Sequence, residues 1–326
     1  MGRFLLRRAG YALLLCWLVV SLTFLLLELS PGDASLQFVG PDHPPEQAAL
    51  LRAAWGLDQP AGFRYLRMLG HFAHGDLGES LTQARPVGRL LAEALPATLE
   101  LSGLALLLGF GLGVLLGAWQ ASRAGRRPEA AVGLLLLLLC ALPEFALGLL
   151  LVQRLSFAWP WLPASGIARW DHATLGATAR LLDHLRHLAL PCLTLVLPTA
   201  AWVARHQRAS LIAVLQAPWV RTARSLGLSP ARVLWAHALP PATLPILALA
   251  GVALPGLAGG AVVVETLFSW PGLGRLLVQA VLERDTPVIV ACFLVTAGLV
   301  ALGSTLADLG IAALDPRVRA GRSPRA

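Results

Sequence analysis

Long apolar runs constrain this chain more than any other feature of its sequence. Several stretches of about 20 residues contain almost no charge, and a helix of that length crosses a hydrocarbon core about 30 Å thick. Charged residues make up 13% of the chain, against about a quarter of an ordinary soluble domain. The sequence therefore predicts an all-α integral membrane protein. Its six predicted transmembrane helices lie at residues 11–29, 97–121, 131–153, 188–205, 241–264 and 288–310.

The first apolar run follows Arg3, Arg7 and Arg8 and could be mistaken for a signal peptide. Its apolar part is longer than the roughly 7–15 residues of a signal peptide, and no small-residue cleavage site follows it cleanly. The run at 11–29 is therefore predicted to be a retained first transmembrane helix.

The distribution of arginine predicts the orientation of the chain. All 26 basic residues are arginines. Fifteen of them lie at 1–10, 122–129, 205–238 and 311–326, and eleven lie in the longer segments 30–95, 154–187 and 265–287. Because cytoplasmic loops are enriched in arginine and lysine, both termini are predicted to be cytoplasmic. The outer segment 30–95 contains turn residues and an amphipathic stretch at 45–55, which predict short helices.

The absence of lysine excludes one kind of nucleotide site. A GxxxxGK[ST] loop uses its lysine on the β- and γ-phosphates, so any ATP hydrolysis is expected on a partner. The four cysteines lie in apolar runs without zinc-ligand spacing, and the eight histidines form no HExxH motif. Neither a metal site nor the catalytic site of an intramembrane enzyme is predicted.

Small residues and prolines indicate how the helices pack. Gly109, Gly113 and Gly117 recur every four residues in the second predicted span and so share one face of a helix. Such a stripe lets another helix approach closely, where lipid provides no hydrophobic drive for association. Four prolines in or beside the spans predict kinks: Pro143, Pro198, Pro245 and Pro255.

The arginine-rich segment 205–238 predicts two helices joined by a tight turn. Helical periodicity continues from the fourth span to about Ser225. Gly227 follows, at the position just past a helix C-terminus that often requires φ > 0. Ser229 and Pro230 then have the residue types of an N-cap and a first helical position.

The second helix of this hairpin is predicted to be short. It runs to about Leu239, and Pro240-Pro241 is expected to stop it because proline lacks the N–H that a helix interior needs. The hairpin proper is placed at 217–238. Three arginines rim it, namely Arg221, Arg224 and Arg232.

The hairpin resembles the cytoplasmic motif of ABC importer permeases, written EAA-x3-G-x9-I-x-L-P. With Gly227 on the motif glycine, Leu239 and Pro240 fall on the Leu-Pro positions and Ala223 on the third position. Three positions depart from the motif, namely Arg221, Thr222 and His237. The run at 221–224 is instead similar to the variant in dipeptide, oligopeptide and nickel permeases.

This resemblance extends in order over nearly the whole chain. The N-terminal run is similar to that family's first helix and to its Pro-Gly-Asp ending at 31–33. Further similar stretches lie at 56–60, 75–80, 95–101, 162–166, 265–274 and 315–319. The long outer segment after the first helix is typical of the first of the two permeases in such importers.

The resemblance implies partners and a mechanism. It implies the six-helix ABC importer permease type in a bacterial inner membrane, with 30–95 in the periplasm and a five-helix core at 96–310. A second permease, two ATPases that bind ATP and magnesium, and a soluble or lipid-anchored solute-binding protein complete the importer. No cofactor is expected on this chain itself. The residues expected to couple to an ATPase are Arg221, Thr222, Ala223, Arg224, Gly227, Ser229, Arg232, Leu239 and Pro240.

Alternatives stay open for the cargo and the energy source. A peptide is expected, with nickel, glutathione or another small solute as the alternative. An ion-gradient-driven transporter would need inverted repeats and several ionisable groups at mid-membrane. Only Glu144 lies well inside a predicted span, which makes it a weak candidate for the substrate pathway. Pro218-Trp219 replaces the family's acidic–aromatic pair, so the ATPase contact is expected to differ there.

Tryptophans and histidines of the outer segments receive ordinary explanations. An interfacial belt is expected for the tryptophans on that side, namely Trp159, Trp161, Trp170 and Trp270. His184 and His187 are three residues apart in a predicted outer loop and match no metal-ligand pattern.

Overall fold

The computed structural model describes residues 2–30 and 45–314, and this part of the chain is mostly helical and forms no β-strand. Its α-helices are α1 (Gly2–Leu29), α2 (Pro45–Ala54), α3 (Ala61–Ala73), α4 (Val87–Ser122), α5 (Arg127–Ala141), α6 (Glu144–Val152), α7 (Ala177–Leu215), α8 (Pro218–Ser225), α9 (Pro230–Arg232), α10 (Leu239–Leu267), α11 (Leu273–Leu282) and α12 (Thr286–Leu314). Wider π-helical turns occupy Gln153–Ala158 and Val233–Ala238, and a 3₁₀ turn occupies His172–Thr174.

Helices suited to cross a membrane dominate the described residues. Five single segments have the length and apolar composition of a span: Leu6–Leu29, Val87–Ser122, Ala177–Leu215, Pro230–Ala250 and Thr286–Leu306. Arg127–Ala141 and Glu144–Ala158 together meet the same test, although they are bent by 106°. The five spans and the bent pair correspond to the six predicted spans, so the predicted fold class is confirmed.

Several helices extend beyond the predicted membrane spans. The first helix begins at Gly2 rather than at residue 11, and α4 begins at Val87, inside the predicted outer segment. The predicted span 188–205 is only the middle of α7, which has 39 residues. A helix of that length is about 58 Å long and reaches far beyond a hydrocarbon core of about 30 Å. Apolar composition marks only the part of a helix that lies in hydrocarbon.

The third predicted span, 131–153, is two helices rather than one. Leu142 and Pro143 are extended, with ψ of 130° and 140°, between α5 and α6. Proline lacks an N–H and disfavours the helical conformation in the residue before it, so the kink predicted at Pro143 is confirmed. Pro198, by contrast, lies inside α7 without breaking it.

The chain divides into two compact units, of which the first lies within Met1–Thr98 and Pro271–Leu302. Its apolar core joins the start of α4 to α11 and α12 and includes Val87, Leu91 and Ile289. The predicted short helices of the outer segment are confirmed as α2 and α3. The Pro-Gly-Asp run at 31–33 and the run at 315–319 lie outside the described residues.

A buried carboxylate fixes a loop of this first unit. Asp285 is 1% exposed and accepts hydrogen bonds from Ser80 Oγ at 2.5 Å and from Thr82 N at 3.2 Å. Thr82 Oγ1 also donates to Glu283 Oε2 at 2.7 Å. A buried charge is tolerated when it is hydrogen-bonded in this way, so these contacts hold the loop before α4 against the turn between α11 and α12.

The second unit lies within Leu99–Trp270 and Gly303–Ala326 and contains a close contact between α4 and α7. A Cβ atom on Gly113 would lie 2.5 Å from Val203 Cβ and 2.9 Å from Ala200 O. One on Gly117 would lie 2.6 Å from Ala204 O. The predicted stripe is therefore confirmed, and we call this contact the glycine seam. Its stripe residues are Gly109, Gly113 and Gly117, and they face Thr199, Ala200, Val203 and Ala204.

Two predictions for the outer residues of this unit are wrong. Trp270 is fully buried, so it cannot belong to a lipid-facing belt, whereas Trp159, Trp161 and Trp170 are exposed. The backbone N–H of Trp270 donates to the carbonyl of Glu265 at 2.8 Å in the turn that follows α10. His184 and His187 lie within α7 rather than in a loop, because α7 begins 11 residues earlier than its apolar run suggests.

Candidate coupling site

The hairpin begins with a break that the periodicity of the sequence does not reveal. α7 ends at Leu215, Ala217 is extended with ψ of 145°, and α8 begins at Pro218. The prediction of one helix from the fourth span to Ser225 is therefore wrong. The residue before a proline avoids the helical region, and proline is favoured at a first helical position. The chain thus turns at Ala217 while both helices keep good termini.

α8 is held by one side chain and exposes most of the others. Val220 is fully buried, whereas Arg221, Thr222 and Arg224 are exposed and Ala223 is half-buried. The helix is short, and isolated helices of fewer than about 12 residues are marginal in water. Burial of Val220 is therefore the contact that fixes α8 in place.

Gly227 closes α8 with a pair of backbone hydrogen bonds. Its φ is +83°, a conformation that costs little only for glycine. The N–H of Gly227 donates to Arg224 O at 3.0 Å, and the N–H of Leu228 donates to Ala223 O at 3.3 Å. This is the Schellman arrangement, which satisfies the last carbonyls of a helix. The predicted role of Gly227 as helix terminator is confirmed.

The second helix starts as predicted but does not end as predicted. Ser229 is the N-cap, and its hydroxyl accepts from Arg232 N at 3.4 Å, with Pro230 at the first helical position. The chain then continues through a π-helical turn directly into α10, so Pro240-Pro241 does not stop it. A π turn pairs residues five apart, and the two prolines lie in the first turn of α10, where a missing N–H is tolerated.

The base of the hairpin is packed into the second unit. Ala238 and Leu239 join an apolar cluster with Leu211 of α7 and with Ala118 and Ala121 of α4. Close by, Ser210 Oγ of α7 donates to Ala242 O of α10 at 2.8 Å. Leu239 and Pro240, two of the predicted coupling residues, thus lie at the root of the hairpin, whereas the other seven lie further out.

The outer surface of the hairpin combines cations with apolar side chains. The side chains of Arg221, Arg224 and Arg232 are exposed and form no ion pair within the part of the chain that the structure describes. Three large apolar side chains are exposed beside them in the same segment, namely Trp219, Leu226 and Trp235. Exposed apolar groups of this kind, rimmed by charge, are typical of a surface that a partner covers.

The structure brings the predicted coupling residues into one segment but leaves Glu144 apart. Glu144 is the first residue of α6, after the bend, and is half-buried. It makes no hydrogen bond or ion pair with any described residue. Glu265, which lies one residue beyond the predicted span 241–264, is fully buried in α10, although a carboxylate near the end of a span is normally expected to reach the membrane interface.

One ion pair near the hairpin was also missed. Arg208 Nε of α7 donates to Glu129 Oε1 of α5 at 2.8 Å, and Glu129 is 8% exposed. The two residues are 79 positions apart, so local sequence patterns carry no signal for the pair. It ties α5 to α7 at the end of the helices that carries the hairpin.

Two family models together match most of the chain. Residues 113–320 match the model of the binding-protein-dependent transport system inner membrane component, and residues 1–102 match the model of its N-terminal part. The oligopeptide transport system permease protein AppB of Bacillus subtilis (strain 168) is 32% identical over 98% of this chain and 99% of its own length. The di/tripeptide transport system permease protein DppB of Pseudomonas aeruginosa (strain UCBPP-PA14) is 36% identical over 97% of this chain and 98% of its own length.

A solved structure supports the fold independently. A chain of the inward-facing MetNI methionine ABC transporter matches 69% of this chain and 96% of itself, with a TM-score of 0.56 and 18% identity. At that identity the match shows the fold, which agrees with the helices described above. With the family models and the full-length relatives, this places the protein in the family of inner membrane components of binding-protein-dependent transport systems.

Proposed function

We propose that this chain is the pore-forming permease subunit of an ATP-driven, binding-protein-dependent importer of peptides. The observation that carries the proposal is the hairpin, a capped helical elbow with a buried root and an exposed cationic and apolar surface. The peptide cargo is supported by the names of two relatives that match nearly the whole chain, an oligopeptide and a di/tripeptide permease.

The hairpin at 217–238 is proposed to dock on an ATPase subunit. Its three exposed arginines suit acidic groups on that partner, and its exposed tryptophans suit an apolar cleft. Because the root at Leu239 and Pro240 continues directly into α10, a displacement of the hairpin is passed to a membrane-spanning helix. A rigid helical element passes on such a push, whereas a loose loop would absorb it.

The same proposal sets the orientation and the partners. The hairpin and both termini lie in the cytoplasm, and the outer segment 30–95 lies in the periplasm. ATP and magnesium bind two ATPase subunits below the membrane, and this lysine-free chain carries no GxxxxGK[ST] loop of its own. A second permease completes the pathway, and a solute-binding protein delivers the peptide.

Substitution of Gly227 tests the coupling role. Proline cannot adopt the φ of +83° that Gly227 has, and it removes the N–H that donates to Arg224 O. The complex of this chain with its second permease and ATPases, reconstituted in vesicles, should import labelled peptide when binding protein and ATP are present. Gly227→Pro should leave the chain in the membrane but abolish both import and the ATP hydrolysis that the binding protein stimulates.

Gly125→Pro is the matched control. Gly125 has a φ of +81° in the turn between α4 and α5, outside the hairpin. If the hairpin couples the machine, this variant should keep most of its import at equal membrane yield. Normal import by Gly227→Pro, or equal loss in both variants, would contradict the coupling role. Import of nickel or glutathione instead of peptide by the unaltered complex would overturn the cargo but not the coupling.

A further inference from the structure

A polar cavity lies between α4, α5 and α7 of the second unit. Its volume is about 770 Å³, and its lining includes Gln120, Glu129, Trp202, Arg205, His206 and Arg208. It lies toward the hairpin end of these helices, since Ala118 and Ala121 of α4 and Leu211 of α7, which pack against the hairpin root, are close in sequence to its lining residues. The coupling function uses none of these side chains.

A buried amide oxygen without a partner marks the wall of this cavity. Gln120 lines it, is 1% exposed, and has no hydrogen-bond partner for its Oε1 among the described residues. Buried polar atoms are normally hydrogen-bonded, so this wall is suited to a ligand that brings a hydrogen-bond donor.

The charges of the cavity favour an anion. The single carboxylate, Glu129, is matched by Arg208 through its Nε at 2.8 Å. Arg205 has no hydrogen bond or ion pair with any residue that the structure describes, which leaves one cation in excess. His206 also lines the cavity, and its Nδ1 donates to Trp202 O at 2.9 Å. Arginine binds phosphate oxygens strongly because its planar fork matches their geometry.

We propose that this cavity binds the glycerol-phosphate headgroup of an anionic phospholipid. The phosphodiester would accept from Arg205 and from the terminal nitrogens of Arg208, and the glycerol hydroxyls would donate to Gln120 Oε1. The exposed leucines of α5, including Leu134 and Leu138, offer an apolar surface for the acyl chains. Basic pockets between helices, with tryptophan at the level of the headgroups, are suited to such lipids.

Native mass spectrometry of the full chain in a non-ionic detergent tests the proposal. Phosphatidylglycerol and phosphatidylcholine with identical acyl chains are titrated separately, and the bound lipids are counted. Both lipids carry the same phosphodiester, but only phosphatidylglycerol has hydroxyls to donate to Gln120 and lacks a choline cation beside Arg205. One phosphatidylglycerol should therefore bind about tenfold more tightly than phosphatidylcholine, the size expected for one hydrogen bond. Arg205→Gln removes the cation that repels choline and should reduce that preference, and Gln120→Leu removes the acceptor of the glycerol hydroxyls and should weaken phosphatidylglycerol binding.

Arg126→Gln is the matched control, because Arg126 is exposed at the start of α5 and is absent from the cavity lining. It removes the same charge and should keep the lipid preference. Equal binding of the two lipids, or an equal loss in Arg126→Gln, would overturn the proposal. Displacement of phosphatidylglycerol by millimolar inorganic phosphate would also overturn it, since the site would then take a soluble anion.

Discussion

The glycine seam and the coupling hairpin lie in the same unit but are held together in opposite ways. In the seam, Gly113 and Gly117 bring the backbone of α4 against α7, and no room is left for even one added carbon. In the hairpin, Val220 of α8 and Val233 of the π turn are buried while most neighbouring side chains are exposed. The seam therefore depends on missing side chains, whereas the hairpin depends on a few anchors and leaves its surface available.

The largest effect is expected from adding a methyl group to the seam. In Gly113→Ala the new Cβ would lie 2.5 Å from Val203 Cβ and 2.9 Å from a backbone oxygen that cannot rotate away. We expect a loss of about 3 kcal/mol in the free energy of unfolding, at the upper end of overpacking costs. Thermal unfolding of the purified chain in detergent measures it. Gly111→Ala is the control because no atom lies within 4 Å of its Cβ position, and equal behaviour of the two variants would disprove the seam.

A smaller loss is expected from the buried anchor of the hairpin. Val220→Ala removes two methyl groups from a fully buried site, which corresponds to about 2 kcal/mol. Because α8 is short, the loss should be local and appear as faster proteolysis within 217–238, with the main unfolding transition unchanged. Leu226→Ala alters a side chain that is 78% exposed and should leave proteolysis as it is. Faster cleavage in both variants would show that exposure, not anchoring, governs the segment.

The N-cap of the second helix should matter less. Ser229→Ala removes a hydroxyl whose hydrogen bond to Arg232 N is long, at 3.4 Å. The expected cost is therefore about 0.5 kcal/mol, at the low end of the range for N-caps. Hydrogen exchange at the first amides of α9 measures it. Protection that stays unchanged in Ser229→Ala but falls in Ser229→Gly would show that backbone freedom, not the hydroxyl, is the relevant property.

The smallest effect on stability is expected from the exposed arginines. Arg221→Gln, Arg224→Gln and Arg232→Gln should each change the free energy of unfolding by less than about 0.5 kcal/mol, as is usual at exposed sites. Under the proposed function, the triple variant should nevertheless lose ATP hydrolysis that depends on the binding protein. Arg89→Gln, at an exposed arginine outside the hairpin, is the control. An unaltered ATPase rate in the triple variant would separate the arginines from coupling.

Sequence periodicity predicted the seam because its signal is local. Glycines four residues apart share a helix face whatever the partner helix is, and the structure bears this out. The helix end at Gly227 was predicted for the same reason, since glycine is the residue that adopts its φ of +83° at little cost. Such features are determined by neighbours within one or two turns.

The errors have a different origin. Periodicity alone would continue the helix through Ala217, where the chain breaks. Pro218 could have predicted this break, because the residue before a proline avoids the helical conformation. The chain continues helically through Pro240-Pro241 after a π turn, and a π turn has no sequence signature comparable to that of a helix cap. The ion pair of Glu129 with Arg208 and the burial of Gln120 depend on residues far apart in sequence, and a single sequence without its fold does not bring them together.

The gap between α5 and α6 has a consequence for what surrounds the protein in a bilayer. The last carbonyls of α5 have no helical donor ahead of them, because Leu142 is extended and Pro143 has no N–H. The hydrocarbon of a bilayer has no hydrogen-bond donors for these oxygens. Irregular backbone therefore persists at membrane depth only against other protein or water. Leu142 and Pro143 are exposed within the part of the chain that the structure describes. In a bilayer these oxygens would therefore need water or a second protein chain beside them, and the proposed second permease is one source of such cover.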